Sequence, residues 1–395
     1  MLKKMLMVIL ITFTFFMIMF TPGCTNQSEE KNAGDVVEEQ VEETQKEEVV
    51  EDTAQVNVEY GADFSIEYLE DNVKRVVDGE GRTLILVPRD AVVPDGYDAD
   101  QIIYTPVQNV LVCSTTFVSL MNPLGIFDNI SGVTSDTDEW FIEEIKQGLE
   151  SGDISYVGGS GMGEPDYELV QALNPELAMV YTGSSGQYSL IEKFKELDIP
   201  YVVINDYTED EPMARMEWMK FLSAFFNKEE EANNYFAEIE EALESIKEKI
   251  PSGEKTRVVW GMVYDGNVYV PNAGSYVGKM IEMAGGDYVF KDFGVDKTGS
   301  EPITLEEFYA RAAEAEVFIY SSTTTWMPSL NTVIENAPIL EDIETVKQEK
   351  VWVFQPWYYQ ALEKTHEQIE DLAAIFYPEA FSGYDLKHHS QLISE

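Results

Sequence analysis

Short apolar runs alternate with polar stretches and helical patterns through most of the chain. Residues 110–113 and 177–181 are two such apolar runs, and each passes directly into a polar tip. The order of strand, polar tip and helix repeats at roughly twenty to thirty residues, which is typical of βα units and a mostly parallel sheet. Because ligands bind beyond the carboxyl ends of such strands, the polar tips form the expected binding site.

Two long helical patterns interrupt this alternation. Residues 213–226 and 229–250 contain neither glycine nor proline, and Asn227 lies between them. Apolar residues recur at helical spacing in the second pattern. The fold expected is α/β, with two Rossmann-like lobes whose central sheets are mostly parallel, joined by one long α-helix and separated by a ligand cleft. A helix that packs on both lobes restricts their opening, because bending it breaks backbone hydrogen bonds.

The amino terminus has the layout of a secretory signal. Lys3 and Lys4 precede an apolar stretch over residues 5–20, and a small-residue segment leads to Cys24. The apolar stretch is short for a membrane-spanning helix. The segment before Cys24 resembles a bacterial lipobox, although Thr and Pro occupy positions 21 and 22. We expect Cys24 to carry a lipid; a plain signal peptide with an incidental cysteine is the alternative.

The segment after Cys24 is rich in Glu, Val and Gln and lacks aromatic residues through position 53. Such a segment cannot bury enough apolar surface to offset its chain entropy, so it predicts a disordered tether, with a helical stalk as the alternative. The length beyond the tether favours two lobes rather than one core. The expected domains are a signal peptide (1–23), a lipidated cysteine and acidic tether (24–57), an N-terminal β-hairpin extension (58–106), an N-terminal lobe (107–226), a linking helix (227–251) and a C-terminal lobe (252–395).

Composition excludes several classes of partner. The formal net charge is -47 over 395 residues, which argues against nucleic acid and against adsorption on anionic lipid, since both need clustered cations. Only two cysteines are present, so no disulfide framework is expected, and Cys113 is predicted to be a buried thiol. Contact with the membrane is therefore expected through the lipid anchor alone.

Five short motifs follow one another along the chain. They are Glu164-Pro-Asp-Tyr-Glu168 followed by Leu173-Asn-Pro-Glu-Leu177, Ala284-Gly-Gly-Asp-Tyr288, Thr304-Leu-Glu-Glu307, Val346-Lys-Gln-Glu-Lys-Val-Trp352 and Ile375-Phe-Tyr-Pro-Glu379. In this order they resemble the helix-linked (cluster A, class III) substrate-binding lipoproteins of ABC importers, the iron-siderophore and cobalamin group. The resemblance covers about residues 108–389.

This resemblance implies a lipid-anchored monomer on the extracellular face of the membrane that delivers a small molecule to an ABC permease dimer with its ATPase, and not an enzyme. It also implies that one carboxylate on each lobe, Glu168 and Glu306, docks on permease arginines. The alternative for both is a solvated glutamate favoured by the dipole of its helix.

Aromatic and small polar residues crowd the predicted strand tips. Aromatic faces suit a bulky, rigid metal complex that is held by few polar contacts. The alternative for each residue is packing within a core. The candidate ligand-binding residues are Ser114, Thr115, Thr116, Trp140, Met162, Tyr188, Tyr207, Trp260, Tyr264, Tyr276, Trp326, Trp357, Tyr358 and Tyr359.

Two scarcities bear on the ligand. The three histidines are His366, His388 and His389, all near the carboxyl terminus, so the first lobe has none. A site for free zinc or manganese needs His and carboxylate ligands that converge from both lobes. We therefore expect neither a metal site of the protein's own nor a cofactor. Arginine is also scarce, which favours a neutral or cationic complex such as a hydroxamate-type ferric siderophore or a corrinoid, with haem as a further alternative.

Two other classes of protein stay open. A hydrolase acting through Ser114 would need a nearby histidine, and no Gly-x-Ser-x-Gly or Walker motif is present. The glycine-rich residues 158–163 fit neither nucleotide-binding spacing and predict a flexible cleft loop. A ligand-sensing lipoprotein without a transporter would use the same fold.

Overall fold

The computed structural model describes residues 54–159 and 163–394. The predicted signal peptide, Cys24, nearly all of the predicted tether and Met162 lie outside these residues. Within them, no helix is both long and apolar enough to cross a membrane.

A four-stranded sheet precedes the first lobe. The expected hairpin is present between its second and third strands, where Val77 pairs with Thr83, but two more strands widen it, one antiparallel and one parallel. The extension is therefore a sheet rather than a hairpin alone, because the apolar residues Ile66 and Ile103 supply further strands on either side. The strands are β1 (Ser65–Tyr68), β2 (Lys74–Val77), β3 (Thr83–Pro88) and β4 (Ile102–Thr105).

The first lobe is built on five parallel strands in the order β7-β6-β5-β8-β9. Successive residues of β5 enter different cores: Val110 and Val112 pack in one, and Leu111 in the other. Helices therefore cover both faces, as a parallel sheet requires. The elements are β5 (Val110–Val112), α1 (Thr115–Met121), β6 (Ile130–Val133), α2 (Glu143–Ser151), β7 (Ser155–Tyr156), α3 (Tyr167–Leu173), β8 (Leu177–Val180), α4 (Ser185–Glu196) and β9 (Tyr201–Val203).

The second lobe has a mixed sheet. Strands β10, β14 and β15 run parallel at its centre, whereas β11, β13 and β16 pair antiparallel at its edges. The prediction of a mostly parallel sheet therefore holds for the centre only. The elements are β10 (Arg257–Tyr264), β11 (Asn267–Pro271), α7 (Tyr276–Met283), β12 (Asp287–Tyr288), β13 (Ser300–Thr304), α8 (Leu305–Ala312), β14 (Val317–Thr323), α9 (Leu330–Asn336), α10 (Glu344–Lys347), β15 (Val351–Phe354), α11 (Thr365–Phe376) and β16 (His389–Gln391).

Two helices lie between the lobes in sequence, α5 (Pro212–Phe226) and α6 (Glu229–Lys249). The amino-terminal half of α6 packs into the first-lobe core through Phe236 and Ile239. Its carboxyl-terminal half packs into the second-lobe core through Ile246. Leu243 contacts both cores. The long helix thus spans both lobes, as its periodicity predicted.

A buried ion pair fixes the joint between α5 and α6. The ammonium of Lys74, on β2, pairs with Glu229 at the start of α6. It also donates to the Ala224 carbonyl at 2.8 Å and to Asn227 Oδ1 at 2.9 Å. Asn227 ends α5 in the left-handed conformation, with φ 55°. Because both charged side chains are almost completely buried, each is stabilised by the opposite charge of the other in place of water.

The carboxyl-terminal strand is held by two carboxylates of α11. The fully buried Asp371 accepts the backbone N–H groups of Lys387, His388 and His389 and contacts His389 Nδ1 at 3.1 Å. Glu367 contacts His388 Nε2 at 3.0 Å and Lys387 Nζ at 2.8 Å. Hydrogen bonds from His388 and Lys387 lower the pKa of Glu367 to about 2, against the opposing effect of burial.

We predict that Lys74→Met lowers the free energy of unfolding by roughly 3–5 kcal/mol, because it leaves the Glu229 carboxylate buried without a partner. Denaturant unfolding measures the loss. The double variant Lys74→Met with Glu229→Met serves as the control and regains most of the stability, since no charge is then buried. A single variant within 1 kcal/mol of the parent would contradict the role of this pair.

Acid is predicted to weaken the attachment of the carboxyl-terminal strand. The pKa of Glu367 is lowered in the folded protein, so its contribution is present above pH 4.5 and is lost as the pH falls towards about 2. The carboxylate is partly exposed, and solvent screening reduces the effect to about 1–2 kcal/mol. Urea unfolding of the parent and of Glu367→Gln between pH 5 and pH 2 tests this. The stability difference between the two proteins should shrink across that window; a constant difference would contradict it.

Candidate functional site

Loops that follow the carboxyl ends of the two central sheets meet across a cleft. Phe141 follows β6 of the first lobe and Trp357 follows β15 of the second, and their ring centroids lie 6.3 Å apart. The side chain of Gln360 accepts the backbone N–H of Phe141 at 2.8 Å and donates to the Glu139 carbonyl at 2.6 Å. The carboxyl ends of the strands, where ligands bind in α/β sheets, thus face the partner lobe.

The exposed aromatic side chains of the two lobes lie near the carboxyl ends of the strands. Within the described part of residues 107–394, seven of the eight are the last residue of a strand or lie in the loop that follows one, and Tyr188 lies in the first turn of the helix that follows β8. Exposed apolar side chains that are grouped in one region are typical of a binding surface. They are Phe141, Tyr156, Tyr188, Tyr207, Tyr264, Trp326, Trp357 and Tyr359.

Six of these eight are aromatic residues that the sequence had marked. Trp326 is 75% exposed, Tyr188 is 50% exposed and Trp357 is 38% exposed. Tyr207 donates its hydroxyl to the Thr182 carbonyl at 2.9 Å, which holds its ring at the end of β8. Their positions are compatible with ligand contact, which stays a prediction.

Ser114 and Thr115 lie where β5 gives way to α1. Ser114 caps this helix, since its hydroxyl oxygen accepts the N–H of Thr116 at 3.3 Å. All three side chains are half-buried at the carboxyl end of a central strand. Capping accounts for Ser114, so a ligand contact there is a second role that stays a prediction.

Trp140 and Trp260 are buried in the cores of their lobes, with 1% of each exposed. The indole N–H of Trp140 donates to the Ser135 carbonyl at 3.1 Å, and that of Trp260 to Ser321 Oγ at 2.6 Å. Each indole is thus satisfied within its own lobe. We correct the expectation for these two residues and assign them to packing.

Tyr358 is buried and supports neighbouring rings instead of being exposed at the cleft. Its ring stacks on Phe354 with centroids 4.0 Å apart, and burial raises its pKa well above the usual value. Tyr359, which is half-exposed, packs edge-on against both rings. Tyr358 therefore positions Tyr359 at the cleft.

Arg215 lies between the two lobes, and the sequence did not indicate it. This α5 residue bonds Asp206 through Nη2 at 2.7 Å and Nε at 3.2 Å, and its guanidinium lies 4.1 Å from the ring centre of Tyr276 on α7. Its side chain is 14% exposed. Burial acts to lower the pKa of Arg215, but Tyr276 and Asp206 raise it further, so the cation persists between the lobes. Its only sequence signal was the scarcity of arginine.

A second cation joins the lobes beside Arg215. Lys279 on α7 pairs with Glu211, just before α5, at 2.6 Å. Within the described residues, no group of three or more His, Cys, Asp or Glu side chains is arranged to hold a metal ion. The cleft therefore offers aromatic faces with a few polar and charged groups.

The two predicted docking carboxylates occupy equivalent places on the two lobes. Glu168 and Glu306 are each the second residue of a helix, α3 and α8, and both are exposed. Asp166 and Thr304 cap these helices by accepting backbone N–H groups. Helix α3 follows β7 in the chain, whereas α8 begins directly after the last residue of β13. Docking on a permease stays a prediction.

The comparisons with known proteins agree with this architecture. A family model described as periplasmic binding protein matches residues 111–356. An uncharacterized lipoprotein of Methanocaldococcus jannaschii is 35% identical over 322 residues, which are 78% of this chain and 76% of the relative. A protein of Bacillus subtilis named as binding Fe(3+)-citrate is 22% identical over 186 residues, which are 47% of this chain and 55% of that relative.

Solved structures share the fold at low identity. A possible iron-binding, periplasmic solute-binding protein of Staphylococcus epidermidis has a TM-score of 0.56 at 14% identity, covering 69% of this chain and 100% of its own. The molybdate-binding protein MolA of an ABC transporter in Haemophilus influenzae has a TM-score of 0.56 at 16% identity, covering 79% and 94%. The chain belongs to the periplasmic binding protein family, the solute-binding proteins of ABC transporters.

Proposed function

We propose that this protein captures a bulky iron complex, of the hydroxamate-siderophore type, and delivers it to an ABC permease. The observation that carries the proposal is that the exposed aromatic rings lie near the carboxyl ends of the strands in both lobes. Rings from both lobes can cover a large, rigid ligand with apolar contact at small entropic cost. One relative named as binding Fe(3+)-citrate and one fold neighbour described as a possible iron-binding protein support this choice of metal.

The charges in the cleft favour a complex without strong negative charge. Arg215 is already paired with Asp206, and Lys279 with Glu211 and Asp210. Neither cation therefore adds net positive charge to its surroundings. A strongly anionic complex would need uncompensated cations. Corrinoids and haem also have large faces, and they enter the test below as competing ligands.

The route of delivery follows from position and charge. We propose that Cys24 carries the lipid anchor, which places the protein on the extracytoplasmic side; a relative named as a lipoprotein supports this. Glu168 and Glu306 would then meet one permease subunit each. Two exposed carboxylates on separate lobes can align a two-lobed protein on a dimeric permease.

Aromatic truncation is predicted to weaken ligand binding. Trp326→Ala or Trp357→Ala should raise the dissociation constant about tenfold, because one stacked ring is lost. Fluorescence quenching of the parent by ferrioxamine, a corrinoid and haemin measures which complex binds. Tyr104→Ala, an exposed aromatic on the N-terminal sheet, is the matched control and should bind normally. Unchanged affinity for every complex in both tryptophan variants would contradict the cleft assignment.

Charge reversal at the docking residues is predicted to stop uptake without changing capture. Glu168→Lys and Glu306→Lys should each reduce transport of the bound complex at least about tenfold while the dissociation constant stays the same, because the repulsion acts only at the permease. Glu238→Lys, on the exposed side of α6, is the control. Transport equal to that of the control would rule out this docking mode.

A further inference from the structure

The N-terminal sheet contacts the connection between β9 and α5, residues 204–211. This connection carries Tyr207, whose side chain is 41% exposed. Gly79, in the turn between β2 and β3, donates its backbone N–H to the Val203 carbonyl at 2.9 Å. The N–H of Val203 donates to Oδ2 of the buried Asp78 at 3.2 Å. The β2–β3 turn therefore pairs with the open edge of β9, which is the outermost strand of the first-lobe sheet.

Asn205 links this turn to a second connection near the carboxyl ends of the strands. Its side chain is 5% exposed, and Nδ2 donates to the Gly79 carbonyl at 3.0 Å. Its Oδ1 accepts the backbone N–H of Thr182, which follows β8, at 3.0 Å. The carbonyl of Thr182 in turn accepts the hydroxyl of Tyr207 at 2.9 Å. A continuous series of hydrogen bonds thus runs from the N-terminal sheet to the exposed ring of Tyr207.

The residues just before β1 hold the other end of the same connection. Thr208 Oγ1 donates to Asp63 Oδ2 at 2.6 Å. The carboxylate of Glu209, which is 3% exposed, accepts the backbone N–H groups of Ala62 at 3.2 Å and of Asp63 at 3.3 Å. The connection is therefore bonded to the N-terminal extension on both sides of Tyr207. A side chain that is supported by such a layer of hydrogen bonds keeps its orientation.

We propose that the N-terminal extension positions Tyr207 for ligand contact, with Asn205 as the central positioning residue. This inference rests on the proposed function, in which Tyr207 is a candidate ligand contact. The bonded residues of the extension all precede residue 111, where the match to the family model begins. A ring that is already held in place loses less side-chain entropy when a rigid ligand binds than a mobile ring does. The extension thereby adds to ligand affinity without touching the ligand.

A double-mutant cycle in the full chain tests this. Gly79 has no positive φ, but a Cβ there would lie 3.0 Å from Asn205 Cβ, so Gly79→Ala should displace Asn205. The probe is the complex among ferrioxamine, a corrinoid and haemin that the parent binds. Gly79→Ala should raise the dissociation constant about fivefold and Tyr207→Ala about tenfold. The double variant should match Tyr207→Ala alone, because both changes act through one ring.

The matched control for the first variant is Gly253→Ala. This exposed glycine has no positive φ and open space around its Cβ position, so the variant should bind the probe as the parent does. A dissociation constant in the double variant that is raised about fiftyfold, the product of the two single effects, would overturn the proposal. An unchanged dissociation constant in Gly79→Ala would also overturn it.

Hydrogen–deuterium exchange of the ligand-free chain gives a readout that needs no ligand. Peptides that contain Thr182 or Tyr207 should exchange at least about threefold faster in Asn205→Ala and Gly79→Ala, while β14 of the other lobe exchanges as in the parent. Unchanged exchange of these peptides in both variants would overturn the proposal. A parent that binds none of the three complexes would contradict the proposed function instead, and the exchange result alone would then decide whether the extension positions Tyr207.

Discussion

The apolar side of α6 is the constraint on which the rest of this structure depends. Phe236 and Ile239 belong to one core, Ile246 belongs to the other, and Leu243 contacts both. A rigid rod that is shared by two cores fixes the distance and angle between them, because changing either exposes apolar surface or breaks the hydrogen bonds of the helix. The Lys74–Glu229 pair adds a second constraint by fixing the amino-terminal end of this rod.

The cleft is a consequence of that arrangement. The carboxyl ends of β8 and β14 lead into connections that are free to vary in sequence. The shared helix keeps the carboxyl ends of the two sheets facing each other. The exposed rings at these ends could have been buried in either core, yet Trp326 is mostly exposed. Exposed rings that are held in place at the carboxyl ends of the strands of both lobes are what a binding site for a bulky, weakly polar ligand requires.

Periodicity in the sequence predicted most elements and the linking helix, because amphipathic patterns reflect which side is buried. The helical patterns over residues 213–226 and 229–250 correspond to Pro212–Phe226 and Glu229–Lys249 in the structure. The antiparallel strand β11 was missed although Asp265-Gly266, with positive φ at both residues, is a strong hairpin signal. The hairpin signal was overlooked because the surrounding residues fit a strand followed by a helix, as in the other βα units.

The site was less predictable than the fold. Trp140 lies in the connection after β6 and Trp260 lies within β10, but position along the chain does not determine which way a side chain points, and both point into cores. Arg215 lies within a helix, so a search of strand tips could not find it. Its proximity to Tyr276 arises only when the two lobes meet.

Rigid coupling of the lobes through α6 is tested most directly by a distance between them. Spin labels at Glu150→Cys on α2 and Ala310→Cys on α8 are on exposed helix positions of separate lobes. Pulsed electron paramagnetic resonance of the ligand-free protein should give one narrow distribution of the distance between the labels. Its width should be a few Å, roughly the width that the label linkers alone produce. A broad or two-peaked distribution would contradict the coupling of both cores by one helix.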